Sequence, residues 1–283
     1  MRKKILYLEC KTGAAGDMLM AALYSLLLEE DKKIFIEKMN AISDEITVEP
    51  EEVRMQGIGG IHMRVAVKGK EEDHALAEAC GHTHPHVHEQ EDAGCTHSHE
   101  HTQESKTTHS HAHHHTGYDV ILKEIESRSL SSAVKQHAVE IYRIIGEAEA
   151  HVHRTDLKEI HFHEVGSKDA VADVVGCSLA IEMLGVDRII CSPVCVGNGT
   201  VRCAHGILPV PAPATAEIIK GMPVYTSSFD GELLTPTGAA VLKHFAQEFR
   251  KDVEMELIET GYGFGTRTFE QLSCVRAFLG YQC

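Results

Sequence analysis

Ile5-Leu6-Tyr7-Leu8, then Gly13-Ala14-Ala15-Gly16, then a long apolar stretch opened by Asp17 and Met18: this run decides the fold class. Its order is buried strand, tight loop and helix, the helix running from Asp17 to Glu30. Working outward, a second helix is predicted over Lys32–Ile42. Glu45–Met55 and Ile61–Lys68 read as strands joined through Gly57-Ile58-Gly59-Gly60, a turn that tolerates positive φ. Further along, Tyr118–Ser127 and Ser132–His151 are helical in pattern. In the second of these Val134, Ala138, Ile141, Ile145 and Ala148 recur at three- and four-residue spacing, and Ser131 or Ser132 is placed to cap it. Lys168–Leu184 is another helix, followed by a strand at Arg188–Val196, the turn Gly197-Asn198-Gly199 and a returning strand at Val201–Cys203. Helices over Ala214–Lys220 and Pro236–Phe249 and strands near Val253–Glu259 and Cys274–Leu279 complete the pattern. Strands alternate with helices throughout, which predicts an α/β fold with a mixed sheet or sheets and flanking helices. The expected organisation is an N-terminal α/β unit over residues 1–70 and a second unit over 117–283 that completes the fold. An arrangement in two lobes is compatible with this division.

Between them lies a different composition. Residues 71–116 hold 13 of the 21 histidines and nine acidic side chains against one basic, with almost no large apolar residue. Such a stretch cannot bury enough surface to offset its ordering entropy, and it is predicted to be a disordered His-rich insert. It also carries more than half of the chain's formal charge of −15, so the charge of the folded part is modest.

The whole chain, 283 residues with 43% hydrophobic and 24% charged side chains, is large enough for a sizeable core. Its acidic balance, with aromatic residues at 5% and no Trp, argues against nucleic acid and against an anionic membrane surface. The apolar run after Lys4 is interrupted at once by Glu9 and Lys11, unlike a signal peptide. The longest later run, Met18–Leu28, is far short of the roughly 20 residues that span a bilayer. Nine unevenly spread cysteines favour reduced thiols and a cytoplasmic setting. A homo-oligomer is compatible with all of this.

Four groups of residues can carry chemistry. The insert contains His82, His84, His86 and His88, then His97, His99 and His101, then His109, His111, His113, His114 and His115. Alternating imidazoles suit nickel, copper or zinc, and a flexible tract collects ions rather than preorganising them. The bland alternative is a polar linker that has drifted in composition.

The second group is His161-Phe162-His163-Glu164-Val165-Gly166-Ser167-Lys168-Asp169, with Asp173 one turn on. If residues 160–164 are extended, His161 and His163 point to the same side, and Asp169 and Asp173 share one face of the following helix. Converging imidazoles and carboxylates suit a divalent metal or proton transfer. Against this, Asp169 at a helix start and satisfied core histidines would look the same in sequence.

The third group is the loop Gly13 to Gly16 with Asp17, which either presents backbone N–H groups to an anion or is simply capped by Asp17. It matches neither a Walker loop nor the dinucleotide fingerprint.

The fourth comprises Cys191, Cys195, Cys203 and His205, with Cys195 and Cys203 expected on adjacent strands of a hairpin, where they would either bind a soft metal or be inert buried thiols. Near it, Pro209-Val210-Pro211-Ala212-Pro213 reads as a stiff wall. Thr235-Pro236-Thr237-Gly238 reads as a helix start with donors for an anion, and Gly261–Arg267 as a flexible backbone ending in a cation, Arg267.

Taken in order, five motifs resemble one family. They are Glu9-Cys10 with Gly13-Ala14-Ala15-Gly16-Asp17-Met18; His161-Phe162-His163-Glu164-Val165-Gly166; Cys203-Ala204-His205-Gly206 with Pro209 to Thr215; Leu234-Thr235-Pro236-Thr237-Gly238-Ala239-Ala240; and Gly261-Tyr262-Gly263 with Gly265-Thr266-Arg267. The chain resembles the nickel insertion proteins of nickel-pincer cofactor biosynthesis, the LarC family, over nearly its whole length, His-rich insert included. The usual Asp after the first strand is here Glu9.

The resemblance implies nickel insertion into pyridinium-3,5-bisthiocarboxylic acid mononucleotide by a chelatase or cyclometallase of the lyase class. The reaction it implies depends on CTP with magnesium or manganese. It also implies a base for the ring proton lost as carbon binds nickel. The family's C-terminal, CTP-associated domain is expected to be absent here, and a separately encoded C-terminal domain and nickel-pincer-dependent apo-enzymes are its expected partners. On this reading His161, His163 and Glu164 with Asp169 or Asp173 hold nickel, Glu164 and His205 are the catalytic candidates, and Gly13, Gly16, Asp17, Thr237 and Arg267 contact the mononucleotide. The competing classes are a nickel storage or delivery chaperone without catalysis, and a zinc- or manganese-dependent hydrolase.

Overall fold

The structure, a computed structural model, describes residues 2–71, 116–162, 164–267 and 272–283. The His-rich tract, His82 to His115, and His163 lie outside the described residues.

The elements follow in chain order. The first are β1 (Lys4–Glu9), α1 (Gly16–Ser25), α2 (Glu29–Asn40), β2 (Ile46–Met55), β3 (Ile58–Val67), β4 (Lys70–Glu71) and β5 (Thr116–Gly117). Next come α3 (Tyr118–Ser127), α4 (Ser132–His153), β6 (His161–Phe162), α5 (Lys168–Leu184), β7 (Arg188–Cys191), β8 (Val194–Cys195), β9 (Gly197–Asn198), β10 (Thr200–Cys203) and β11 (Gly206–Pro209). The last are α6 (Pro213–Ile218), β12 (Val224–Tyr225), β13 (Gly231–Glu232), α7 (Pro236–Phe245), β14 (Glu248–Phe249), β15 (Met255–Phe264) and β16 (Val275–Gln282).

One mixed sheet organises them, in the order β14-β7-β1-β16-β15-β3-β2 with β4 paired to β3. β1 runs parallel to β7 and antiparallel to β16, which explains its continuous apolar run: both of its faces are covered. The N-terminal stretch has no sheet of its own, because β16 and β15 separate β1 from the β2–β3 hairpin. The two stretches expected to form separate units, and compatible with two lobes, therefore share one sheet. α1, buried nearly all round, lies against β15 and β3, and α5 packs between α1 and α4. Ser131 Oγ accepts from the Val134 N–H at 3.1 Å and caps α4, as the sequence suggests.

Several local expectations are corrected. The helix read from Asp17 to Glu30 stops at Ser25 and restarts at Glu29, with Leu28 extended between them and no Gly or Pro to announce the break. The strand expected over Arg188–Val196 divides at Ser192-Pro193, where proline has no N–H to donate. Cys195 then pairs with Tyr225, and Cys203 with Gly206, so the hairpin that would set Cys195 beside Cys203 does not form. In the second motif His161 and Phe162 form β6, and Glu164–Gly166 is a 3₁₀ turn rather than a continuation of the strand. The helix read to Phe249 ends at Phe245, and Glu248–Phe249 joins the sheet.

Gly261 and Gly263 are not flexible linkers but strand residues of β15. A Cβ on Gly263 would stand 1.9 Å from the Met18 carbonyl oxygen, so the glycine is what lets α1 lie on the strand. Among the described residues no helix is long and apolar enough to cross a membrane.

Candidate functional site

Two helix starts are tied side by side. Ala14 donates to the Leu233 carbonyl at 2.9 Å and Thr235 donates to the Ala14 carbonyl at 3.1 Å, which fixes the loop before α1 against the residues before α7. Gly238 permits the approach, since a Cβ there would lie 2.3 Å from the Ala14 oxygen. Cys177 on α5 reaches the Gly16 carbonyl at 3.5 Å and holds α5 to the same place. Between these helices, β3, β13 and the end of β15 opens a cleft of about 310 Å³, a size usual for small-molecule sites.

One wall is acidic. Asp17, Asp169 and Asp173 line it, with Val165 of the 3₁₀ turn beside them. The Tyr142 hydroxyl donates to the Val165 carbonyl at 3.2 Å and fixes that turn to α4. The Asp173 carboxyl sits against Gly16, where a Cβ would come 2.6 Å from Oδ2, and it accepts from the Asp17 N–H. Burial, then the charges of Asp17 and Asp169, hold Asp173 well above the ordinary carboxylate range. Its Oδ1 is buried and has no hydrogen-bond partner among the described residues. Three carboxylates so arranged favour a cation or a shared proton. Among the described residues, however, no three His, Cys, Asp or Glu side chains already stand at metal-ligating spacing.

A second part of the lining is cationic and rich in hydroxyls. Arg202, Arg267, Thr235 and Thr237 line it, flanked by Glu232. Thr235 Oγ1 accepts from the Gly238 N–H at 3.1 Å and caps α7, and Pro236 follows at the first helical position.

The cleft gathers some expected residues and leaves out others. Asp169, Asp173, Gly16, Asp17, Thr237 and Arg267 line it. Gly13 does not: the space of its absent Cβ is filled by the Leu233 main chain, 2.0 Å away. The anion expected at the glycine loop is supplied by the protein itself, as Asp173. His161 is exposed on β6, opposite Gly117, and off the cleft; His163, with which it is expected to share a side, lies outside the described residues. His205, in the exposed turn between β10 and β11, packs its ring 5.0 Å from that of His153 rather than on the cleft. The side chain of Glu164 lies outside the described part; the next residue, Val165, lines the cleft.

The nickel insertion protein profile matches residues 6–282. A protein of Clostridium acetobutylicum named pyridinium-3,5-bisthiocarboxylic acid mononucleotide nickel insertion protein is 43% identical over 279 residues, covering 98% of this chain and 64% of its own length. Those of Clostridium kluyveri and Desulfitobacterium hafniense with the same name are 39% and 34% identical, covering 99% and 98% of this chain and 62% and 58% of their own. The chain belongs to the nickel insertion protein family. It spans about three fifths of the length of these relatives. No solved structure matches it.

In this member of the nickel insertion family, sequence reading missed four cleft residues: His62, Arg202, Glu232 and Thr235 as a cap. His62 is 8% exposed, and its Nδ1 lies 3.1 Å from the Phe264 carbonyl oxygen. A carbonyl only accepts, so that nitrogen is the donor. The available signal was a lone imidazole inside an apolar strand, which by itself reads as a satisfied core group.

Proposed function

We propose that the protein inserts nickel into pyridinium-3,5-bisthiocarboxylic acid mononucleotide, giving the nickel-pincer cofactor of lactate racemase-type enzymes, and that the cleft is where this happens. The observation that carries the proposal is the cleft's mixed charge, three aspartates and two arginines lining one cavity, inside a chain that the family profile matches over residues 6–282. Asp17, Asp169 and Asp173 attract the metal, and His163 and Glu164, taken from the family likeness, are its proposed imidazole and carboxylate donors. Glu164 is also the candidate base for the ring proton. His161 and His205, off the cleft, have no part in this site.

The histidines from His82 to His115 act as a collecting tract for nickel in a reducing, cytoplasmic setting. CTP with magnesium or manganese, a separately encoded C-terminal partner, delivery to apo-enzymes and a homo-oligomeric state belong to the same proposal, supported by the family likeness alone.

The test is to incubate the purified protein with nickel, the bisthiocarboxylate mononucleotide and CTP with magnesium or manganese, and to follow the nucleotide by mass spectrometry. A nickel-bearing nucleotide is expected. Nickel held on the protein with the nucleotide unchanged would instead describe a storage or delivery protein. One equivalent of zinc, without preference for nickel, on a protein lacking residues 71–116 would describe a hydrolase centre.

A further inference from the structure

Two helix N-termini face the cleft, and only one has its anion. At α1 the place is taken by the Asp173 carboxyl, which accepts from the Asp17 N–H. At α7 no carboxyl takes that place among the described residues. Thr235 Oγ1 caps the Gly238 N–H, Pro236 has no N–H, and the Ala239 N–H returns to the Thr235 carbonyl at 2.9 Å. That leaves the N–H of Thr237, a donor at the positive end of a ten-residue helix.

The Thr237 side chain is the independent sign that something binds there. It is only 7% exposed, it lines the cleft, and its hydroxyl has no hydrogen-bond partner among the described residues. A hydroxyl left unpartnered on a cleft lining is placed to donate to, or accept from, a ligand. Two cations flank the same wall. Among the described residues Arg202 makes no ion pair, and Arg267 reaches the Glu232 carbonyl, at 3.5 Å. A threonine offering N–H and O–H from one residue, beside two guanidinium groups, suits the oxygens of a phosphate group. A carboxylate offers only two acceptor oxygens and one charge to the same set of donors.

We infer that the start of α7, with Thr237, Arg267 and Arg202, is a phosphate subsite that recognises the phosphate monoester of the mononucleotide. This rests on the proposed function for the identity of the ligand. It makes the phosphate, held at the start of α7, the group that orients the ring toward Asp17, Asp169 and Asp173 in the same cleft.

The test measures binding by calorimetry, without nickel and without turnover, so that it stands apart from the insertion assay. The probes are nicotinic acid mononucleotide, its dephosphorylated riboside, CTP and inorganic phosphate. The mononucleotide should bind at least about tenfold tighter than the riboside, as charge-assisted hydrogen bonds imply. Arg267→Ala and Thr237→Val should each remove most of that advantage and leave riboside binding within about twofold of the parent. Arg202→Ala is the third variant, and its exposed position keeps the test open should Arg267→Ala fail to fold. Equal affinity for mononucleotide and riboside would overturn the inference, as would equal weakening of both ligands in the variants. CTP displacing the mononucleotide at about tenfold lower concentration would assign the subsite to a nucleoside triphosphate and overturn it too. Should the insertion assay fail while the discrimination persists, the proposed reaction falls and the phosphate subsite stands.

Discussion

Gly263→Ala tests the packing that places the acidic wall. The added Cβ would stand 1.9 Å from the Met18 carbonyl oxygen, 2.5 Å from the Ala22 nitrogen and 3.0 Å from the Ala22 Cβ. Ordinary contact needs about 3.4 Å or more, so α1 and β15 must part by roughly 1.5 Å. The nearest two atoms are main chain on a helix buried nearly all round, and no side-chain rotation relieves them. Overpacking of this kind costs about 3 kcal/mol, at the upper end of its usual range, and lowers the thermal midpoint by roughly 6–12 °C. Gly59→Ala is the matched control, for nothing lies within 4 Å of its Cβ. Urea and thermal unfolding of the two variants beside the parent measure the difference. Because α1 carries Gly16 and Asp17 into the cleft, nickel affinity should fall in Gly263→Ala and stay unchanged in Gly59→Ala. A Gly263→Ala protein within about 0.5 kcal/mol of the control would refute the close approach and with it this account of α1.

Two further predictions concern charge. Asp173→Asn should stabilise the metal-free protein by about 1 kcal/mol near neutral pH, because it removes a buried carboxyl repelled by Asp17 and Asp169. The sign with pH follows from the raised folded value: the carboxyl's contribution to stability is fully present below its unfolded pKa and is lost as pH rises through the folded one, so the variant's advantage should vanish near pH 4. The same substitution should weaken nickel binding, and a variant that is no more stable than the parent at neutral pH would contradict the repulsion. The second concerns His137 and His244, whose Nδ1 and Nε2 lie 2.8 Å apart between α4 and α7. Burial first, then His137, lowers the pKa of His244, so its contribution is present above the unfolded value and lost as pH falls through the folded one. The urea midpoint should therefore drop between pH 7.5 and pH 5 more steeply in the parent than in His244→Gln; parallel curves would count against it.

Much of the fold was legible because its signals are local. The α5 helix, Lys168–Leu184, and α4 with its Ser131 cap carry apolar spacing and a cap within a few residues. The break between α1 and α2 carries no such signal, since Leu26, Leu27 and Leu28 would equally continue a helix; it comes from where the chain turns to begin α2. In the site, the sequence singled out Asp169, Asp173, Asp17, Thr237 and Arg267 as residues of interest, and the cleft gathers all five. It gave no ground for His62 or Arg202, which enter through β3 and β10 and have no motif around them.

The sequence by itself determined the alternation of strands and helices, the compositional boundary of the His-rich stretch, and the order of motifs that marks the family. These depend on neighbours along the chain. Only the tertiary structure decided that β1 inserts between β7 and β16, that Asp173 takes the anion's place at the start of α1, and that α7 is left as the helix start open to a ligand. The reason is physical: which charge meets which helix end is set by distances between segments more than a hundred residues apart, and no local pattern encodes them.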